Sequence, residues 1–276
     1  MNTQKVDFAI VGGGVTGLWL NVLLARAGFS TIVIEKTALG VQQTLASQGM
    51  IHGGVKYSLS GLVNNHFYTL KNMPARWTKC LSGDDPVDLR NVKILSPQYY
   101  MFSDASLSSK LVTFLGSQLL RGHVSPVKLA DFPKAFKHPN FKGNLYALKD
   151  IVIDTRSLVE NLAKDFEARI VKGSPQIFCE KGKITSLVVS NNYRVKAEKY
   201  IFAAGIGNRE IIKALAMPVE MQNRPLHQVV IRGKNLPDLF AHAVSIRDLS
   251  KPRITFTTHI FEGYKYWYLG GMLAES

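Results

Sequence analysis

Cysteine is scarce in this chain, with Cys80 and Cys179 the two examples among 276 residues. Two cysteines this far apart, with no C-x-x-C neighbourhood, cannot frame a disulfide-stapled fold, and both read as small buried hydrophobes in a reducing compartment. No cluster of histidine, cysteine and carboxylate has zinc-ligand spacing, so no metal is expected. Long apolar runs are missing as well. None reaches the roughly 18 residues needed to span a bilayer. The apolar N-terminal run is not an export signal, because Asp7 sits against it, glycines break it and no small-residue cleavage site follows. No Ser-His-Asp or Cys-His pairing can be assembled from spacing, which leaves a hydrolase unsupported. Internal repeats and low-complexity segments are also absent. Acids are outnumbered, at 20 Asp and Glu against 34 Lys and Arg, for a net charge of +14. A diffuse positive field of that size favours anionic ligands.

What is present begins at once. A length of 276 residues with 46% hydrophobic content is enough to bury a large core, arranged as two lobes. Between Phe8 and Lys36 the chain reads as an apolar strand, a glycine turn, an apolar helix, a second strand and an acid. Gly12, Gly14 and Gly17 stand at G-x-G-x-x-G spacing. The first suits a tight turn, the second lets backbone approach a pyrophosphate, and the third lets helix pack on strand. The helix that follows points its N-terminal N–H groups towards phosphate. Glu35, followed by Lys36, closes the unit where a carboxylate can accept ribose hydroxyls. The order of these pieces, rather than the glycines alone, specifies a dinucleotide site.

The next residues narrow the choice. Gly40 to Tyr57, GVQQTLASQGMIHGGVKY, resembles the stretch that runs beneath the flavin in the D-amino-acid oxidase superfamily, and the N-terminal fingerprint is similar to that family's FAD-binding start. Ile51-His52-Gly53-Gly54 looks like the version in the glycerol-3-phosphate and L-2-hydroxyglutarate dehydrogenase branch, whereas Gly49 departs from the lysine usual in the glycerol-3-phosphate enzymes. Lys199 to Asn208, KYIFAAGIGN, resembles the strand and Ala-Gly turn that return the chain to the cofactor. Arg224 to Arg232 and Tyr266 to Glu275 are similar to segments of the family's substrate-domain sheet. The resemblance implies an α/β fold, a Rossmann-like FAD domain beside a mainly antiparallel substrate domain. It implies FAD held by Gly12, Gly14, Val15, Thr16, Gly17, Glu35, Lys36, Ser47, Gln48, Gly49, Ala204 and Gly205. His52 is the catalytic candidate, since an imidazole titrates near neutral pH and can take a proton. Lys56 and Tyr57 could face the same pocket. His227, Arg232 and His259 fall on the second sheet, where each reads more simply as structural or exposed.

The implied activity is oxidation of a small 2-hydroxy acid or amino acid by hydride transfer to flavin, with oxygen or a quinone as electron acceptor. The expected partner is a small anionic molecule, not nucleic acid, and the expected location is cytoplasmic, compatible with peripheral contact on the inner membrane face. Two alternatives stand beside it: a flavoprotein domain acting in tRNA modification, and a non-catalytic remnant. The family pattern runs on past Tyr266 to Glu275, so the chain reads as lacking the closing segment. The basic stretch Val127 to Lys149 interleaves five lysines with Phe132, Phe136 and Phe141, and reads as a solvated, proline-punctuated excursion. Periodicity predicts strands at Phe8–Val11, Thr31–Ile34, Gln228–Ile231, Arg253–Thr258 and Tyr200–Ala203. It predicts helices at Gly17–Ala27 and Leu158–Arg169, the second capped by Asp154 or Thr155. A hairpin is expected around Asn191-Asn192. The expected FAD domain is 1–80 with 150–220, and the substrate domain 81–149 with 221–276.

Overall fold

The computed structural model describes residues 2–52, 73–103, 124–190, 193–223, 225–244 and 252–275. The expectations for Gly53, Gly54, Lys56, Tyr57, Asn191, Asn192 and Arg224 lie outside the described residues. In chain order the elements begin with β1 (Asn2–Val11), α1 (Val15–Arg26), β2 (Thr31–Glu35), β3 (Met50–Ile51), α2 (Met73–Ser82), β4 (Ile94–Ser96) and β5 (Tyr99–Ser103). There follow β6 (Val124–Pro126), β7 (Asn144–Leu148), β8 (Ile151–Ile153), α3 (Thr155–Ala163), β9 (Ile170–Lys172), β10 (Gln176–Glu180) and β11 (Lys183–Ser190). Last come β12 (Tyr193–Phe202), α4 (Asn208–Ala214), β13 (Val229–Gly233), β14 (Ala241–Ala243), β15 (Ile254–Phe261) and β16 (Tyr264–Gly270). The fold is mixed α/β, and it divides into two compact units.

The first unit comprises 1–47, 79–92 and 155–223. Its six-stranded sheet has the order β10-β11-β12-β1-β2-β9, with β12, β1, β2 and β9 parallel and β10 and β11 added antiparallel. Val6, Ala9, Val11, Ile32, Ile34, Leu187 and Val195 form its core. The apolar runs Ala9–Val11 of β1 and Ile32–Ile34 of β2 are buried throughout, as central parallel strands are. The expected strand Tyr200–Ala203 is not separate but the end of β12, one strand of ten residues that pairs with β1 from Asn2↔Tyr193 to Val11↔Phe202. α3 stops at Ala163, short of the expected Arg169, because the chain must be extended by Ile170 to pair with Val33 of β2. Cys80 is buried, but Cys179 is exposed, being carried on the edge strand β10.

The second unit comprises 48–78, 93–154 and 224–276. The boundaries differ from the expected ones at 48–78, 81–92, 150–154 and 221–223. β3 pairs with β8, which ties the stretch around Met50 to the second unit. The Asn161 side chain donates to the Asp88 carbonyl at 2.8 Å, which ties 79–92 to α3 in the first. The seven-stranded sheet has the order β13-β16-β15-β14-β5-β7-β6, and a short sheet β3-β8-β4 accompanies it. Side chains alternate between its two faces. One face carries Tyr99, Met101 and Val244 in a core with Val152, while the other packs Tyr100, Phe102, Phe256 and Trp267 against Phe132 and Phe136. Phe132, Phe136 and Phe141 therefore belong to the core, with centroid spacings of 5.9 Å and 5.2 Å from Phe141. The lysines of that excursion stay exposed, as expected of a solvated stretch.

Candidate active site

The glycine turn in the first unit is shaped by backbone packing at two of its three positions. At Gly12, where φ is +113°, a Cβ would stand 2.6 Å from the Ala203 carbonyl carbon and 2.8 Å from the Ala204 Cα. At Gly17 it would collide with the Gly12 carbonyl oxygen. Gly14 differs. A Cβ there meets only the Thr44 hydroxyl, at 3.3 Å, so nothing in the fold itself demands glycine. Open space at the middle glycine, between two crowded ones, is what close approach of a pyrophosphate requires. The residues fit a dinucleotide.

Glu35 ends β2 beside this turn. Its Oε2 accepts from the Gly13 amide at 2.7 Å, and its Oε1 accepts from the Thr37 amide at 2.9 Å. The carboxylate thus fixes the turn from the side where the acid of such a unit lies. Thr44, which sequence reasoning did not single out, accepts from the Val15 amide at 3.0 Å and so satisfies one orphan donor at the start of α1. Thr16 and Lys36 are exposed. Ser47 is exposed also, with its hydroxyl donating to the Thr44 carbonyl at 2.8 Å. Ala204 and Gly205 follow β12, and Asn208 holds the Ala204 amide through its Oδ1 at 3.1 Å.

In the second unit, Gln48 is fastened to the sheet. Its amide nitrogen donates to the Tyr268 carbonyl at 2.8 Å, and its oxygen accepts from the Thr255 hydroxyl at 2.8 Å. Thr255, Thr257 and His259 alternate along β15 and share one face. Thr257 Oγ1 lies 3.0 Å from His259 Nε2, and the His259 ring packs on Tyr268 at 4.3 Å. Burial pushes the His259 imidazole down to about 4, against a weaker upward pull from Asp154. His259 is therefore neutral at physiological pH. Gly49, at φ +66°, accepts from the Ile153 amide at 2.9 Å and brings the chain alongside β8. His227 and Arg232 are exposed, and the Arg232 guanidinium stacks 3.7 Å over the Tyr264 ring.

His52 follows β3, and its Nδ1 stands 3.5 Å from Asp150 Oδ2. The His52 side chain is 37% exposed and that of Asp150 5%. His242, buried on β14, lies parallel to His52 within 8° at a centroid distance of 6.1 Å, and it packs on Tyr99 at 4.6 Å. Burial holds the Tyr99 hydroxyl well above the usual tyrosine range, and the Asp150 charge adds to the effect. Neither Asp150 nor His242 carries a motif. His242 stands in an apolar strand, LFAHAV, where a lone histidine reads as core. Pairing of β14 with β5 and of β3 with β8 supplies what spacing could not.

Comparison with known proteins identifies the family. The family model described as FAD dependent oxidoreductase matches residues 7–271. The chain is 38% identical over 274 residues to the probable FAD-dependent oxidoreductase PA4991 of Pseudomonas aeruginosa, covering 99% of this chain and 70% of that protein. The crystal structure of that protein superposes with a TM-score of 0.83 at 34% identity, over 100% of this chain and 68% of the other. Glycine oxidase from Bacillus cereus shares the fold, with a TM-score of 0.67 at 17% identity, covering 97% of this chain and 71% of that one. L-proline dehydrogenase from P. horikoshii does too, with a TM-score of 0.71 at 13% identity, covering 96% and 70%. From the glycine turn to β16, the chain belongs to the FAD-dependent oxidoreductases of this family.

Proposed function

We propose that this oxidoreductase oxidises a small anionic amino acid or 2-hydroxy acid, with His52 taking the proton that leaves the substrate nitrogen or oxygen. The observation that carries the reading is the half-exposed His52 imidazole set against the buried Asp150 carboxylate at 3.5 Å. FAD supplies the two-electron acceptor for the hydride that leaves the substrate carbon. Asp150 favours the tautomer with its proton on Nδ1, which leaves Nε2 as the acceptor for the substrate N–H or O–H proton. The substrate then departs as an imine or carbonyl compound, with oxygen or a quinone as the final oxidant. Fold relatives acting on amines, such as the glycine oxidase, support an amino acid only by analogy of fold.

The test is anaerobic mixing of the flavin-loaded protein with a panel of amino acids and 2-hydroxy acids. Loss of the oxidised flavin absorbance with one class identifies it, and no reduction by either class would refute the reading. With a working substrate, His52→Ala should slow flavin reduction about 10²-fold or more. Unchanged reduction would remove His52 from the reaction.

A further inference from the structure

We propose that His52, Asp150 and His242 form a reversible zinc site that switches off the reaction assigned to His52. Each residue offers one ligand atom, and the three atoms lie within 4.8 Å of one another. Two imidazole nitrogens and a carboxylate oxygen are a donor set that zinc takes, with water completing a tetrahedron. At bonds of about 2.0–2.1 Å, the ligand atoms of such a site stand roughly 3.4 Å apart. His52 Nδ1 and Asp150 Oδ2 are already at 3.5 Å. The other separations, at most 4.8 Å, must close by up to about 1.4 Å.

Burial of Asp150 and His242 strengthens the case. Burial holds these two side chains in place, at 5% exposure for Asp150 and 6% for His242, so two of the three ligand groups are already positioned. The open side at His52 provides the path of entry. The inhibitory effect follows from the proton count on one ring. A neutral imidazole has a single lone pair. If zinc occupies it at Nδ1, the remaining proton sits on Nε2, which then donates and can no longer accept a proton from substrate. This regulatory half rests on the function proposed for His52, whereas the binding half does not.

The experiment is calorimetric titration of the flavin-loaded protein with zinc chloride, paired with X-ray absorption at the zinc edge. One zinc per chain is expected, with two imidazoles in the first coordination shell. Asp150→Asn and His242→Gln should each weaken binding at least 10-fold, with circular dichroism confirming that they fold. No binding below about 1 mM, or binding unaffected by either substitution, overturns the site. In the same preparation, stoichiometric zinc should slow flavin reduction by an active substrate in proportion to occupancy, and His242→Gln should need correspondingly more zinc. Full occupancy with undiminished reduction overturns the switch. Zinc binding by a protein that reduces with no substrate would preserve the site while refuting the proposed function.

Discussion

The three glycines of the turn should respond differently to a single added methyl group. Gly14→Ala meets nothing but the Thr44 hydroxyl at 3.3 Å, so the chain should keep its melting temperature within a few degrees while losing FAD; Gly14→Val should lose it altogether. Gly12→Ala drives a Cβ into the Ala203–Ala204 backbone at a positive φ, and about 3 kcal/mol or more should be lost from the fold itself. Flavin absorbance per protein, measured beside a thermal melt of the apoprotein, separates the two effects; full flavin content in Gly14→Val would sink the assignment. The turn was legible in the sequence because all its parts are local. Which glycine answers to the ligand and which to the fold was not, since Ala203 arrives from a strand 190 residues away. His259 gives a second residue-scale test. Its folded pKa of about 4 lies below the ~6.5 of an unfolded histidine, so the unfolded chain takes up the proton first. Its stability contribution is therefore complete above about pH 6.5 and is lost as pH falls towards 4, by up to about 3 kcal/mol. Urea midpoints for His259→Gln should fall less steeply over that window than those of the parent, and parallel curves would show that His259 charges freely in the fold.

Among the elements, β15 and β16 depend on a side chain from outside the sheet. Gln48 connects Thr255 on one strand to the Tyr268 carbonyl on the next. Gln48→Leu removes both bonds and leaves polar groups to be dried without partners, at about 1–3 kcal/mol. The loss should appear as faster amide exchange in β15 and β16 than in β1 and β2; uniform exchange across both sheets would show that Gln48 is not a clamp. Element type was readable wherever the pattern had one period, as in β1, α1 and β2. Ends were harder. The apolar spacing of Leu158, Leu162 and Phe166 continues past Ala163, yet pairing of Ile170 with Val33 stops the helix. Tertiary pairing overrode local preference there, and it joined β12 across Glu198 and Lys199 for the same reason. The His52 cluster was illegible on similar grounds, because its members come from β14, from the residue before β8 and from the residue after β3, and no sequence period links those positions.

For the whole molecule, the net charge of +14 invites a search for nucleic acid, but Phe132, Phe136 and Phe141 face one another inside the second unit. Rings packed on one another in this way offer no open faces on which bases could stack beside the exposed lysines. Retention of tRNA should therefore be weak and should vanish by about 0.3 M salt, as expected of phosphate contacts alone; binding that survives such salt would restore a nucleic-acid role. Both units are assembled from three separate stretches of chain, so a linear domain map was the least accessible part of the sequence. The contact of Gly12 with Ala203 and Ala204 also sets an order in time. During synthesis, the fingerprint is made some 190 residues before its supporting wall. Nascent chains arrested before Phe202 has emerged should display the whole G-x-G-x-x-G motif and still capture no flavin, and acquisition of the cofactor should wait for β12 to close beside β1.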